Sequence, residues 1–227
     1  MGLGGFDGRV GVGVLFAALV GCASTDPRPP SGDAARRVTP VPACVAPARG
    51  RAAGGARRAL REPELWGLVF PAFDPVSFRL PADAQACNGQ VTVRDAVGAA
   101  AGGAWVQVPQ GSAVYGGGAD RLKVVWLPFA QEPDGAGRGA IALVRSFDDT
   151  AELYAVGVHR GSRQNTTLAL ERLGTELLVV ASDDGCKGAP DRECVTSARV
   201  YADRQGLLAE VAHFDLQRVA LGSHEDA

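Results

Sequence analysis

Residues and motifs that carry chemistry are scarce in this 227-residue chain. It has three histidines, His159, His213 and His224, and no Gly-x-Ser-x-Gly elbow, Ser-x-x-Lys pair or His-Glu-x-x-His helix. That removes the best-marked serine and zinc hydrolase plans. Gly116-Gly117-Gly118 and Gly102-Gly103 do not continue into Gly-x-Gly-x-x-Gly or into a P-loop ending in Lys-Ser/Thr. Turn glycines, not a phosphate cradle, are their expected role. No apolar run reaches the roughly 20 residues a membrane-spanning helix needs; the N-terminal one, Val10 to Gly21, falls well short. Excess charge is missing too, since the formal net charge is −2. A near-neutral chain does not suit nucleic acid as a partner.

What the N-terminus does hold is an export address. Met1 to Arg9 is a short polar start, and Val10 to Gly21 matches the apolar core of a secretory signal peptide, roughly 7–15 residues long. Leu19-Val20-Gly21-Cys22 follows, with small residues ahead of the cysteine. This segment resembles the lipobox of bacterial lipoproteins, a resemblance that covers none of the chain after Cys22. It implies a signal peptide over 1–21, cleavage before Cys22, a thioether-linked diacylglycerol on that thiol and a further acyl chain, such as palmitate, on the freed amine. Membrane lipid is then the first expected partner. Each buried methylene contributes about 0.8 kcal/mol, so two or three chains on one residue anchor durably. Ala23 stands where an Asp would retain a Gram-negative lipoprotein in the inner membrane, which implies the outer membrane of the cell envelope.

From Ala23 to Arg61 the chain carries Pro27, Pro29, Pro30, Pro40, Pro42 and Pro47 among Ala, Gly and Arg, with almost no large apolar side chain. Such a stretch has little surface to bury against its ordering entropy and reads as a tether over residues 22–61. It is basic: eight arginines from Arg28 to Arg61 face Asp26 and Asp33. From Glu62 onward acids outnumber Lys plus Arg by 22 to 14. The stalk's charge suits anionic lipid, at about 1 kcal/mol per basic residue near the surface, and equally suits simple solubility.

Residues 62–227 are of a size for one domain. Their periodicity is mostly two: Val76, Phe78 and Leu80 alternate with polar neighbours, as do Leu122, Val124 and Trp126. Gly139 to Ser146, Glu152 to His159, Thr166 to Arg172 and Glu176 to Ala181 are further short runs divided by breaks. Strands at this spacing predict an all-β fold, an antiparallel sandwich or barrel-like meander. Val91 to Ala101 suits a short helix. Leu207 to Leu221 carries a broken helical stripe, but Asp203-Arg204-Gln205-Gly206 favours a hairpin that joins Val195–Ala202 to Leu207–Leu216. Trp66, Trp105, Trp126, Phe70, Phe73, Phe78 and Phe129 are expected mostly in the core.

Without Cys22, four cysteines remain, and an even number in an exported chain predicts two disulfides. Three pairings exist. The favoured one joins Cys186 to Cys194 across an irregular loop and Cys44 to Cys87 between tether and domain. Zinc is disfavoured, because Cys-x7-Cys is not a zinc-knuckle spacing and no histidine lies near either pair. Asp183, Asp184, Asp191 and Glu193 surround the second loop, but without a calcium-loop order they read as a solvated turn. Asn165-Thr166-Thr167 matches a glycosylation sequon that bacterial export makes irrelevant. His159 and His213 are expected as strand residues, not bases.

No cofactor is expected, and no catalytic residue is marked. The leading expectation is a non-catalytic envelope lipoprotein that contacts another envelope component. Two rivals stay open: a small-ligand binder with a barrel cavity, and a hydrolase with a dispersed His-containing site. A roomy interior would favour the first rival. A histidine bonded to both a carboxylate and an exposed hydroxyl would favour the second.

Overall fold

In the computed structural model strands account for most of the described residues, which are 42–47, 60–98, 102–117, 122–131, 136–147, 150–185 and 194–218. The chain opens with β1 (Cys44–Pro47), α1 (Glu62–Val69), β2 (Arg79–Pro81), α2 (Val93–Val97), β3 (Trp105–Gln107) and β4 (Val114–Gly116). Seven longer strands follow: β5 (Leu122–Gln131), β6 (Ala136–Ser146), β7 (Thr150–Ser162), β8 (Thr166–Leu173), β9 (Glu176–Asp184), β10 (Cys194–Arg204) and β11 (Leu207–Arg218). The fold is all-β with two short helices. β1 lies within the stretch read from sequence as tether.

The main sheet runs β4-β5-β6-β7-β11-β10-β9-β8, with β1 added beside β7. A bridge between Gly117 and Ala169 brings the end of β4 to β8, so the sheet curls into a nearly closed barrel. Its strand pairs are antiparallel except at two seams: the parallel Gly117–Ala169 bridge, and β7 with β11, which run parallel and pair at Val156↔Leu207 and Gly157↔Leu208. β2 and β3 form a separate two-stranded sheet.

Both seams need glycine. A Cβ on Gly157 would lie 2.2 Å from the Leu208 carbonyl oxygen, and one on Gly116 would lie 2.4 Å from that of Leu168. A side chain at either position would push apart the strands that close the barrel. Gly116 is thus a strand residue at a close approach, not the turn glycine expected from sequence.

The barrel has two cores, one on each side of its wall. Leu122, Val124, Trp126, Ile141, Leu143, Ala155, Leu168, Val179, Ala181, Tyr201 and Leu208 pack inside it. Outside, Val125, Leu127, Phe129, Ala140, Ala142, Val144 and Leu153 meet Leu65, Trp66, Val69 and Phe70 of the α1 region, with Val93 and Ala96 of α2. Strands β5 to β7 are therefore covered on both faces, which is why Val124 to Phe129 and Ala140 to Val144 are buried without a break. A bulge at Tyr154 turns the pattern over. Leu153 faces the outer core before it and Ala155 the inner core after it.

Some local expectations change. Val76 is 90% exposed in a turn rather than in a strand. Asp74 organises that turn by accepting from Val76 N and the Ser77 hydroxyl. Trp105 is 58% exposed, outside either core. Helix α1 carries Pro in its first turn, and Glu64 accepts from Arg61 N at 2.8 Å. At the other end the expected hairpin forms. Gln205 and Gly206 both take left-handed φ, 58° and 90°, as a tight two-residue strand connection requires, and Asp203 Oδ1 accepts from Gly206 N at 2.7 Å.

Cys44 and Cys87 are bonded, with Cα atoms 6.2 Å apart. Cys87 N donates to Val69 O at the end of α1, so the bond fastens β1 to the layer that covers the outer core. Cys186 and the Cys194 side chain lie outside the described residues, as do Cys22, His224, Asp191, Glu193 and Gly118.

Candidate functional site

The densest set of buried polar groups lies inside one end of the barrel. β7 supplies His159, β10 Tyr201, β5 Trp126, β8 Thr166 and β9 Asp183. The turn from β7 into β8 passes over this end, with Ser162 N donating to Asp183 Oδ2 at 2.9 Å and Asp184 N to Asn165 O at 3.3 Å. Thr166 stands directly opposite Asp183 in the β8–β9 ladder.

His159 is the centre of the group. Its Nδ1 lies 2.8 Å from the Tyr201 hydroxyl, and its ring meets Trp126 edge-on at 4.9 Å between centroids. It is only 2% exposed. Burial first, and then the charge of Arg199, push its pKa down to about 3, so the imidazole is neutral at any ordinary pH. Burial likewise raises the pKa of the Tyr201 hydroxyl, with Glu210 adding to the effect, and burial raises that of Asp183. Arg199 and Glu210 form a 3.0 Å ion pair at a more exposed level. Among the described residues, Trp126 Nε1, His159 Nε2, Thr166 Oγ1 and Asp183 Oδ1 are buried without a hydrogen-bond partner.

Thr166, His159 and Tyr201 follow the order of nucleophile, base and orienting group, yet two facts oppose catalysis. Thr166, at 6% exposure, and His159 are closed to a substrate, and a base with a pKa near 3 does not hold a proton at neutral pH. His213 is different: its Nε2 lies 3.0 Å from Asp215 Oδ1 on the exposed part of β11. The two histidines thus divide the features asked of a hydrolase site, hydroxyl in one place and carboxylate in the other.

A second polar cluster went unmarked in the sequence. Glu62 Oε1, in the first turn of α1, accepts from Ser112 N at 3.0 Å, Ala113 N at 3.2 Å and Trp66 Nε1 at 3.5 Å, and lies 3.1 Å from the Ser112 hydroxyl. Ser112 is buried. The cluster latches α1 to the loop before β4 and leaves the serine no approach for a substrate. Nothing in Gln110-Gly111-Ser112 signals it, because its partner lies 50 residues away.

Of the acids around the cysteine loop, Asp183 accepts from Ser162 N and Asp184 Oδ1 from the Thr196 hydroxyl at 3.0 Å. Both have protein partners. A cleft of about 300 Å³ lies on the outer side of the barrel wall, lined by Leu60, Leu65, Val125 and Val144 with Tyr115, Lys123 and Ser146. No described helix is long and apolar enough to cross a membrane. Comparison with protein-family models, curated proteins and solved structures gave no match.

Proposed function

We propose that the chain is an exported lipoprotein, held to the outer membrane through Cys22, whose β domain is a non-catalytic interaction module. The observation that carries the second half is the filled interior: Trp126, Ile141, Leu143, Val179, Tyr201 and Leu208 pack against one another where a ligand-binding barrel holds its guest. Contacts with other molecules then fall to the outer surface. There Val211 and Phe214 of β11 are exposed, Phe214 to 56%, on a strand whose described pairing with β7 ends at Leu208. The first half rests on the N-terminal sequence, Val10 to Cys22.

Expression of the full chain in a Gram-negative host tests the reading. Mass spectrometry of the mature N-terminus is expected to find an acylated Cys22, with the protein in the outer-membrane fraction and Cys22→Ser released from it. An unmodified chain still starting at Met1 after export would sink the proposal. A photo-crosslinker at Phe214 is expected to join the anchored protein to one recurrent envelope component, and no such adduct in intact cells would remove the interaction role.

A further inference from the structure

The end of the barrel interior carries an inference that is independent of the export reading. His159 Nε2 and Thr166 Oγ1 come from different strands and converge on Gly161. A Cβ built there would lie 2.7 Å from the first and 2.6 Å from the second. Neither atom has a hydrogen-bond partner among the described residues, and both are buried. Asp183, opposite Thr166 in the ladder, brings a third such atom, Oδ1, to the same end. Buried polar groups are seldom left unsatisfied, and these two meet at the same glycine.

We propose that this niche is a built site for a single internal water, bridging His159 Nε2 and Thr166 Oγ1 beside Gly161. Size selects water over a larger guest, because Trp126 and Tyr201 close the side toward the apolar core and the β7–β8 turn closes the end. Chemistry selects it too. A neutral imidazole bonded to Tyr201 through Nδ1 offers either a donor or an acceptor at Nε2, according to tautomer, and a threonine hydroxyl offers both. Water complements either state, whereas an apolar guest would leave three polar atoms unpaired. A buried water commonly makes about three hydrogen bonds, and three candidate partners are present. The water completes a chain from Thr166 through His159 to Tyr201, holding the β8 and β10 sides of the barrel to β7. Glycine at 161 is required because both polar atoms lie against its backbone, and a Cβ would displace them from the water they share.

A high-resolution crystal structure of the mature protein is the test. The expected result is one isolated density peak within hydrogen-bond distance of both His159 Nε2 and Thr166 Oγ1. Oxygen-17 relaxation dispersion is expected to count one long-lived water fewer in Thr166→Val, which keeps the side chain's shape, than in the wild type. Gly161→Ala is expected to lose the same water if it folds. A direct His159–Thr166 hydrogen bond with no peak would overturn the proposal. So would a multi-atom density, a heavier peak at metal-ligand distances, or an unchanged water count in Thr166→Val.

Discussion

Burying His159 in its neutral form ties the stability of the barrel to pH. Its folded pKa of about 3 lies below the unfolded value near 6.5. Between those limits the unfolded chain holds more protons, and stability falls as pH falls. Asp183 acts in the opposite sense at the acid end, because its raised folded value favours the folded state as pH drops toward it. Urea unfolding at pH 7 and pH 5 is expected to cost the wild type about 2 kcal/mol more than it costs His159→Gln, in which no imidazole titrates at that site. Equal losses would mean that the ring takes up its proton without leaving the core. Glu62 offers a second residue-scale prediction. Glu62→Ala leaves the part-buried amides of Ser112 and Ala113 without their acceptor, at about 1–3 kcal/mol. Arg204→Ala, which breaks only the exposed pair with Glu176, is expected to shift stability by about 0.5 kcal/mol or less. Denaturation midpoints of the two variants compare them directly.

At the scale of elements, barrel closure depends on how near β11 approaches β7. Gly157→Val sets a side chain against the Leu208 backbone, which has no rotamer through which to yield. A loss of about 3 kcal/mol is expected, with faster amide exchange in the first residues of β11. Gly67→Ala is the contrast. Nothing lies within 4 Å of its Cβ in helix α1, and a gain of about 0.5–1 kcal/mol is expected from helix propensity. Strands β8 to β11 were legible in the sequence because one face of each is more exposed and period two survives. Strand β5 was legible from the alternation of Leu122, Val124 and Trp126, and β6 as the short apolar run from Gly139 to Ser146. Helix α1 was missed because eight residues barely exceed two turns, and Trp66, Leu68 and Val69 bury against a layer far along the chain. The Val76–Leu80 alternation misled for the reverse reason: Asp74 and the positive φ of Phe78 make a turn from residues that suit a strand.

For the whole molecule, the Cys44–Cys87 bond is a covalent link between β1 and the barrel's outer layer. It closes 43 residues, for which the chain-entropy model gives about 4 kcal/mol. Cys44→Ala with Cys87→Ala is expected to lower the guanidinium midpoint by a comparable energy, and a reductant should do the same to the wild type. Peptide mapping reads the link itself. Trypsin can cut at Arg49, Arg51, Arg57 and Arg58 between the two cysteines, and a fragment carrying Cys44 is expected to stay attached until the sulfurs are reduced. Its release without reductant would show that the bond is absent in solution.

Sequence alone determined the all-β class, most strand positions and the terminal hairpin. Each is written in neighbouring residues: short apolar and alternating runs divided by breaks, and Gln205-Gly206 between strands. Tertiary structure decided that the sheet curls rather than stacks, that Cys44 meets Cys87, and that His159 faces Tyr201 inside the wall. Those outcomes depend on pairings between residues distant in the chain and on the absence of side chains at Gly116 and Gly157. A lone glycine or histidine reads the same in sequence whether it faces solvent, a seam or a core; only the strand opposite it makes the difference.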